Sequence, residues 1–351
     1  MKFHEFPYQR PDIEVARQQI EALLEHIGTG KSVQEELEAI HQVFQINDEL
    51  STQGQLVSIR NSIDTTDPFY EAEQNFFDEN MPRLQQYEHM FLEKLLASPN
   101  RVQLEQELGS LLFIRGELAK KTFKPEIIEE LQQENKLSTE YSKLIASAKI
   151  EFQGNVYNLS QMAPFLQDKN RETRHQAQLA VSGFFASKEA DFDRIYDELV
   201  RLRTTIAHKL GYENFVQLGY DRFGRTDYNA EDVKNYRDQI FEDIVPLVVE
   251  LTNRKAIRLG IQEPKSWDLA LSFLSGNPTP KGDRAWQVAK AKKMYEEMSP
   301  QTSEFINFML DRELLDLDSK PGKTGGGYCT YLPKFESPFI FANFNGTSHD
   351  V

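Results

Sequence analysis

The feature that most constrains this chain is the helical spacing of its apolar residues. Phe192, Ile195, Tyr196, Leu199, Leu202 and Ile206 recur every three or four positions, and so do Val233, Tyr236, Ile240, Ile244, Leu247 and Leu251. That period lays an apolar stripe along one face of an α-helix. Ser32 followed by Glu35 has capping-box spacing and opens a periodic stretch toward Ile63. Pro68 to Leu96 is a second stretch, carrying Phe76, Phe77, Tyr87, Met90, Phe91 and Leu95, and Pro125 starts a third. Asn229, with Asp232 three residues on, is expected to cap the helix that carries Val233, and Pro246 to kink or split it. Ser299-Pro300 reads as a cap followed by proline at the first helical position. The expected fold class is mainly α.

Two stretches depart from this period. Ile150 to Tyr157 reads as a short hairpin turning at Gln153-Gly154-Asn155. Residues 325–351 carry only Lys334, Glu336 and Asp350 as charges, against Tyr328, Tyr331, Phe335, Phe339, Phe341 and Phe344. Phe339 to Phe344 reads as a strand by aromatic content, within a small β element near 328–345. Gly322 to Gly327 reads as a flexible loop.

Composition narrows the partners. The chain has 351 residues, with 40 Lys and Arg against 55 Asp and Glu, net charge −15. Phosphate binding needs clustered cations, so nucleic acid and anionic membrane are disfavoured. The longest apolar run, Ile244 to Val249, is far short of the about 20 residues of a membrane span. The single cysteine, Cys329, excludes an internal disulfide framework, and no apolar signal core opens the sequence. A cytoplasmic location is expected.

No complete catalytic constellation is legible in the residues. The histidines are His4, His26, His41, His89, His175, His208 and His349, and no two lie four apart, so His-Glu-x-x-His is absent. His26, His41, His89 and His175 are expected at the surface or its boundary. Gly322-Lys323-Thr324 echoes the end of a phosphate-binding loop. However, Leu317 stands where the first glycine belongs, and no helix start follows. Gly276 to Gly282 is turn chemistry in an ordered loop. Cys329 is expected as a small packed residue rather than a nucleophile.

The tail carries a resemblance. Gly325-Gly326-Gly327-Tyr328-Cys329-Thr330, then Pro338 to Thr347, then Asp350-Val351 resemble oligoendopeptidase F, a branch of the thimet-oligopeptidase-like zinc metallopeptidases. Leu210 to Phe215, running on to Tyr220, Arg222, Arg225, Asp227 and Tyr228, fits the same family. So do Gly276-Asn277-Pro278 with Pro280-Lys281-Gly282, and Met294-Tyr295 with Ser299-Pro300, Phe305 and Glu313 to Leu317.

The resemblance implies a multi-helix, two-lobed peptidase body around a channel. Residues 1–190 would be its N-terminal helical wall or lid. Residues 191–351 would be the first part of a zincin-like catalytic domain. The implied activity is zinc-dependent endopeptidase action on short unfolded oligopeptides. In this family the His-Glu-x-x-His helix follows the segment matching Asp350-Val351, and a glutamate of the next helix completes the zinc site. Catalytic and metal-ligating residues are therefore expected beyond Val351 and none within this chain, which by itself is expected to be inactive. Phe341 to Asn345 would be an edge strand that pairs with an extended peptide, with Ala342, Asn343 and Phe344 in contact. Gly325, Gly326 and Gly327 would form a loop over the substrate, where glycine permits close approach and closure. His349 would be structural. The apolar face of strand 339–344 is expected to lie uncovered. The alternative reading is a non-catalytic helical peptide-binding or scaffold protein.

Overall fold

The computed structural model describes residues 1–29 and 32–350. Most of them are helical, and the helices begin where the sequence supplies caps. Ser32 accepts a hydrogen bond from Glu35 N at the start of Val33–Ile63, and Asp67 caps Pro68–Leu96. Asn229 and Asp232 form a reciprocal capping box ahead of Ala230–Gln239. Pro246 does split its helix: a π-helical turn, Ile240–Ile244, precedes Val245–Arg258, which has the proline in its first turn.

Pro82 lies inside Pro68–Leu96 without ending it. Proline has no N–H for the carbonyl four residues back, Asp78 O. Asn135 Nδ2, from the neighbouring helix Ile128–Ala146, donates to that carbonyl instead at 3.3 Å.

Two small sheets interrupt the helices. β1 (Ile150–Phe152) and β2 (Asn155–Tyr157) form the expected hairpin, antiparallel, with Phe152 opposite Asn155. Gln153 and Gly154 both take positive φ, 47° and 82°, as a tight two-residue hairpin turn requires. The second sheet contains β3 (Leu315–Asp318), β4 (Tyr328–Leu332) and β5 (Ser337–Phe344), in the order β3-β5-β4. β3 runs parallel to β5 and β4 antiparallel to it.

β5 is the middle strand only where both neighbours reach it: β4 pairs with Ser337–Phe341, and β3, from twenty-odd residues upstream, with Ile340, Phe341 and Phe344. Beyond Phe341 no strand among the described residues pairs on the β4 side, so the end of the expected edge stretch is laddered on the β3 side alone. The expectation of an uncovered apolar face is corrected. Phe339 and Phe341 are buried in one core with Phe3, Phe6, Leu56, Ile59, Met309 and Leu332. The Phe3 ring lies 4.2 Å from that of Phe339, and Phe3 N donates to Arg312 O at 2.8 Å. Arg60 donates to Phe6 O at 2.7 Å and to Tyr70 at 3.0 Å, which seats the N-terminal segment on this core.

Apolar surface is exposed elsewhere. Phe241, Ile244, Leu247, Val248 and Leu251 all lie open on the helix split by Pro246, as do Met294 and Met298 on Arg284–Met298. Contacts also cross residue 190. Arg203 and Arg222 both ion-pair with buried Glu134, and Asn158 donates to Lys320 O at 3.0 Å.

Candidate functional site

The glycine loop and the sheet it enters are built as one unit. Gly325, Gly326 and Gly327 are exposed, and Gly327 leads directly into β4. Two of these positions favour glycine. Gly326 has φ +82°, and a Cβ on Gly327 would stand 3.2 Å from Phe341 O. A side chain there would press on the β5 backbone, which would have to shift by a few tenths of an ångström.

The loop expected to be flexible is held by hydrogen bonds on both sides. Thr65 donates to Gly322 O through both its N–H, at 2.9 Å, and its hydroxyl, at 2.7 Å. Thr324 N donates to Ser62 O at 2.8 Å. The Asn343 side-chain amide donates to Thr324 O at 2.9 Å and to Gly326 O at 2.8 Å. The loop is thus tied on one side to the end of helix Val33–Ile63 and on the other to β5.

Ala342, Asn343 and Phe344 lie beside this loop, half-buried, at the end of β5. Each of their carbonyls has an internal partner. Ala342 O accepts from Lys323 Nζ at 2.5 Å, Asn343 O from Ser160 Oγ at 3.1 Å, and Phe344 O from Ser319 N at 3.3 Å. Among the described residues the outer sides of the sheet belong to β4 and β3. Cys329 is exposed on β4, not packed as its aromatic neighbours suggested. Next to it Tyr328 stacks on Phe341 with centroids 4.7 Å apart, and burial pushes its phenol above the ordinary value.

Three further residues complete this unit. Lys323, which follows Gly322 in the phosphate-loop-like triplet, has its side chain fully buried under the loop. Ser160 also accepts from Asn345 Nδ2 at 3.1 Å, through its backbone carbonyl, and so ties the β1–β2 region to the end of β5. Asp350 accepts from Asn345 N at 3.0 Å and from Gly346 N at 2.6 Å. Lys323, a lone lysine amid glycines, and Asp350, one of the few charges of the tail, had a sequence signal, and Ser160 had none. Val351 lies outside the described residues, and His349 is exposed.

Among the described residues no three His, Cys, Asp or Glu side chains come together as a metal site. His26 and His41 are exposed and His89 and His175 half-buried, as expected, with His175 stacked on Trp267 at 4.1 Å. No described helix is long and apolar enough to cross a membrane.

Residues 3–123 match the family model for the peptidase M3 N-terminal domain. No curated protein matches the chain. Solved structures do, among them three that each have a TM-score of 0.98. One is described as an oligoendopeptidase F, with 46% identity over 100% of this chain and 62% of its own. Another is PZ peptidase A with an inhibitor, with 47% identity over 99% and 62%. A third is described as an oligoendopeptidase F from Bacillus anthracis strain Ames, with 49% identity over 100% and 64%. The chain thus spans a little under two thirds of the length of each. Over its whole length the helical body and three-stranded sheet are similar to the N-terminal portion of these oligoendopeptidase F structures, and its first third to the peptidase M3 N-terminal domain.

Proposed function

We propose that this chain forms the peptide-holding wall of a zinc-dependent endopeptidase whose substrates are short, extended oligopeptides. The observation that carries the reading is the clamped glycine loop, Gly325 to Gly327, running straight into the outer strand β4. An extended peptide can add to such an edge by main-chain hydrogen bonds, which read no side chain and suit broad specificity. Ala342, Asn343 and Phe344 serve this site from beneath. Their carbonyls are already engaged, so pairing along them would displace Lys323, Ser160 or Ser319. In this reading residues 1–190 are one wall of the channel and residues 191–351 begin the catalytic part. A reducing compartment such as the cytoplasm suits the single thiol.

A zinc ion in such a peptidase polarises the scissile carbonyl and activates water. The described residues do not assemble a ligand set for it, so no chemical step is assigned to them. Their part is to bind and align the peptide. We accordingly expect the 351-residue polypeptide to bind peptide without cleaving it.

Cys329, the single cysteine, gives the test. A peptide lying along β4 should slow alkylation of this thiol in a concentration-dependent way. Unchanged alkylation at saturating peptide refutes the proposed edge. Chelator-sensitive cleavage of a quenched fluorescent peptide by this polypeptide refutes the assignment of binding alone.

A further inference from the structure

The sheet has a defect at the site, and a side chain repairs it. β3 and β5 pair in register at Leu315–Ile340 and Asp316–Phe341, and then the register slips, with Asp318 opposite Phe344. Two steps along β3 answer three along β5, so β5 carries an extra residue at Ala342–Asn343. A bulge of this kind interrupts ladder hydrogen bonding and strands carbonyls. Those carbonyls converge on one ammonium. Lys323 Nζ lies 3.1 Å from Asp316 O, 2.8 Å from Asp318 O and 2.5 Å from Ala342 O, with the Asp316 carboxylate at 2.5 Å. Its side chain is 0% exposed, and the nitrogen sits 4.4 Å from the centre of the Phe341 ring.

We propose that Lys323 is a positioning residue: its buried ammonium holds the β5 bulge in shape and thereby sets the glycine loop beside the β4 edge. The link is short. Lys323 binds Ala342 O, the next residue is Asn343, and the Asn343 amide holds Thr324 O and Gly326 O. The lysine therefore acts from both ends, as a member of the loop segment and as the partner of the strand that clamps it. Burying a lysine is costly without partners, and here four oxygens supply them. Burial still pushes Lys323 below the ordinary lysine value, with Asp316 pulling it back. A methionine would fill a similar volume and remove all four of these bonds. The inference rests on the reading of β4 and its loop as the peptide edge.

The test uses the whole 351-residue polypeptide with Lys323→Met and, separately, Asn343→Ala. Amide hydrogen exchange is followed at residues 324–328 and in the helix Val33–Ile63. For Lys323→Met, exchange in 324–328 should speed up by about tenfold or more while the helix keeps its protection. The peptide concentration that half-protects Cys329 should rise by about tenfold, without a matching change in the global unfolding midpoint. A purely structural lysine would move the helix and the loop together. Unchanged loop exchange in a folded Lys323→Met protein overturns the proposal. Should that variant fail to fold, Asn343→Ala decides, since it cuts the same clamp from the other end and leaves the lysine in place. Loosening confined to 324–328 then supports the proposal, and none overturns it. Absence of Cys329 protection in the unaltered chain would sink the peptide-edge reading, whereas the exchange result alone judges the clamp.

Discussion

Arg174 and Asp268 meet at 2.7 Å, with each side chain only 1% exposed. Arg171 adds a second guanidinium to the same carboxylate, also at 2.7 Å, and Lys265 N donates to it at 3.0 Å. The cluster pins the 266–268 turn to the helix Arg171–Ser187. Removing the carboxylate would leave Arg174 buried without its counter-charge, which is more damaging than never having had the pair. Asp268→Asn should cost about 3–5 kcal/mol in urea denaturation at neutral pH.

The same carboxylate should shape acid stability. The Arg171 hydrogen bond, aided by Lys265 N–H and Arg174, holds Asp268 well below its ordinary value of 3.8. A group depressed in the folded state is ionised there while the unfolded chain takes up its proton. Its contribution is complete above the ordinary value and is lost as pH falls through it toward the depressed one. Denaturation midpoints from pH 5 down to pH 2.5 should therefore fall less steeply in Asp268→Asn than in the unaltered chain. Parallel curves would rule out this residue as the source.

Phe339 is 1% exposed and lies against Phe3 beneath the sheet. Phe339→Ala should destabilise by about 3–5 kcal/mol, the usual cost of emptying an aromatic core site. Phe3 is 9% exposed and closes the same core from the N-terminal segment. Phe3→Ala should therefore lower the unfolding midpoint as well, though by less than Phe339→Ala.

Two glycine-to-alanine changes should have opposite signs. Gly183 lies in the helix Arg171–Ser187 with open space where a Cβ would go, so Gly183→Ala should stabilise by about 0.5–1 kcal/mol. Gly327→Ala would set its Cβ 3.2 Å from Phe341 O, and should destabilise by about 1–3 kcal/mol. Thermal unfolding of the pair in parallel checks both.

Exposed apolar residues on the split helix, among them Phe241 at 72% exposure, form a surface prone to association. Light scattering should show mass rising with protein concentration, and Leu247→Glu with Val248→Glu should suppress the rise. Association undiminished in that double variant would place the sticky surface elsewhere.

What was legible in the sequence lay within a few residues along the chain. The caps at Ser32, Asn229 and Ser299 act on amides two or three residues away, and each is present. The break at Pro246 follows from one missing N–H, and the 150–157 hairpin from a turn that its own residues can adopt. β3 was not legible. Leu-Asp-Leu-Asp is four residues long, and nothing in it reveals that β5 will accept it as a parallel partner. Cys329 sits among aromatics in sequence, yet strand alternation turns it outward.

The sequence alone determined the helical class, the positions of the longest helices, the strand that became β5 and the family resemblance. Helical period, caps and turns are local, and their energetics are settled within a turn or two of backbone. Tertiary structure decided that β3 pairs along β5, that the carbonyls of Ala342, Asn343 and Phe344 are occupied, and that Lys323 is buried. Those outcomes depend on which distant groups arrive alongside: β3 from upstream, Ser160 from beyond the hairpin, and Phe3 from the opposite end of the chain. Desolvation of a lysine and satisfaction of a carbonyl are properties of that assembled neighbourhood, not of the residue that carries the group.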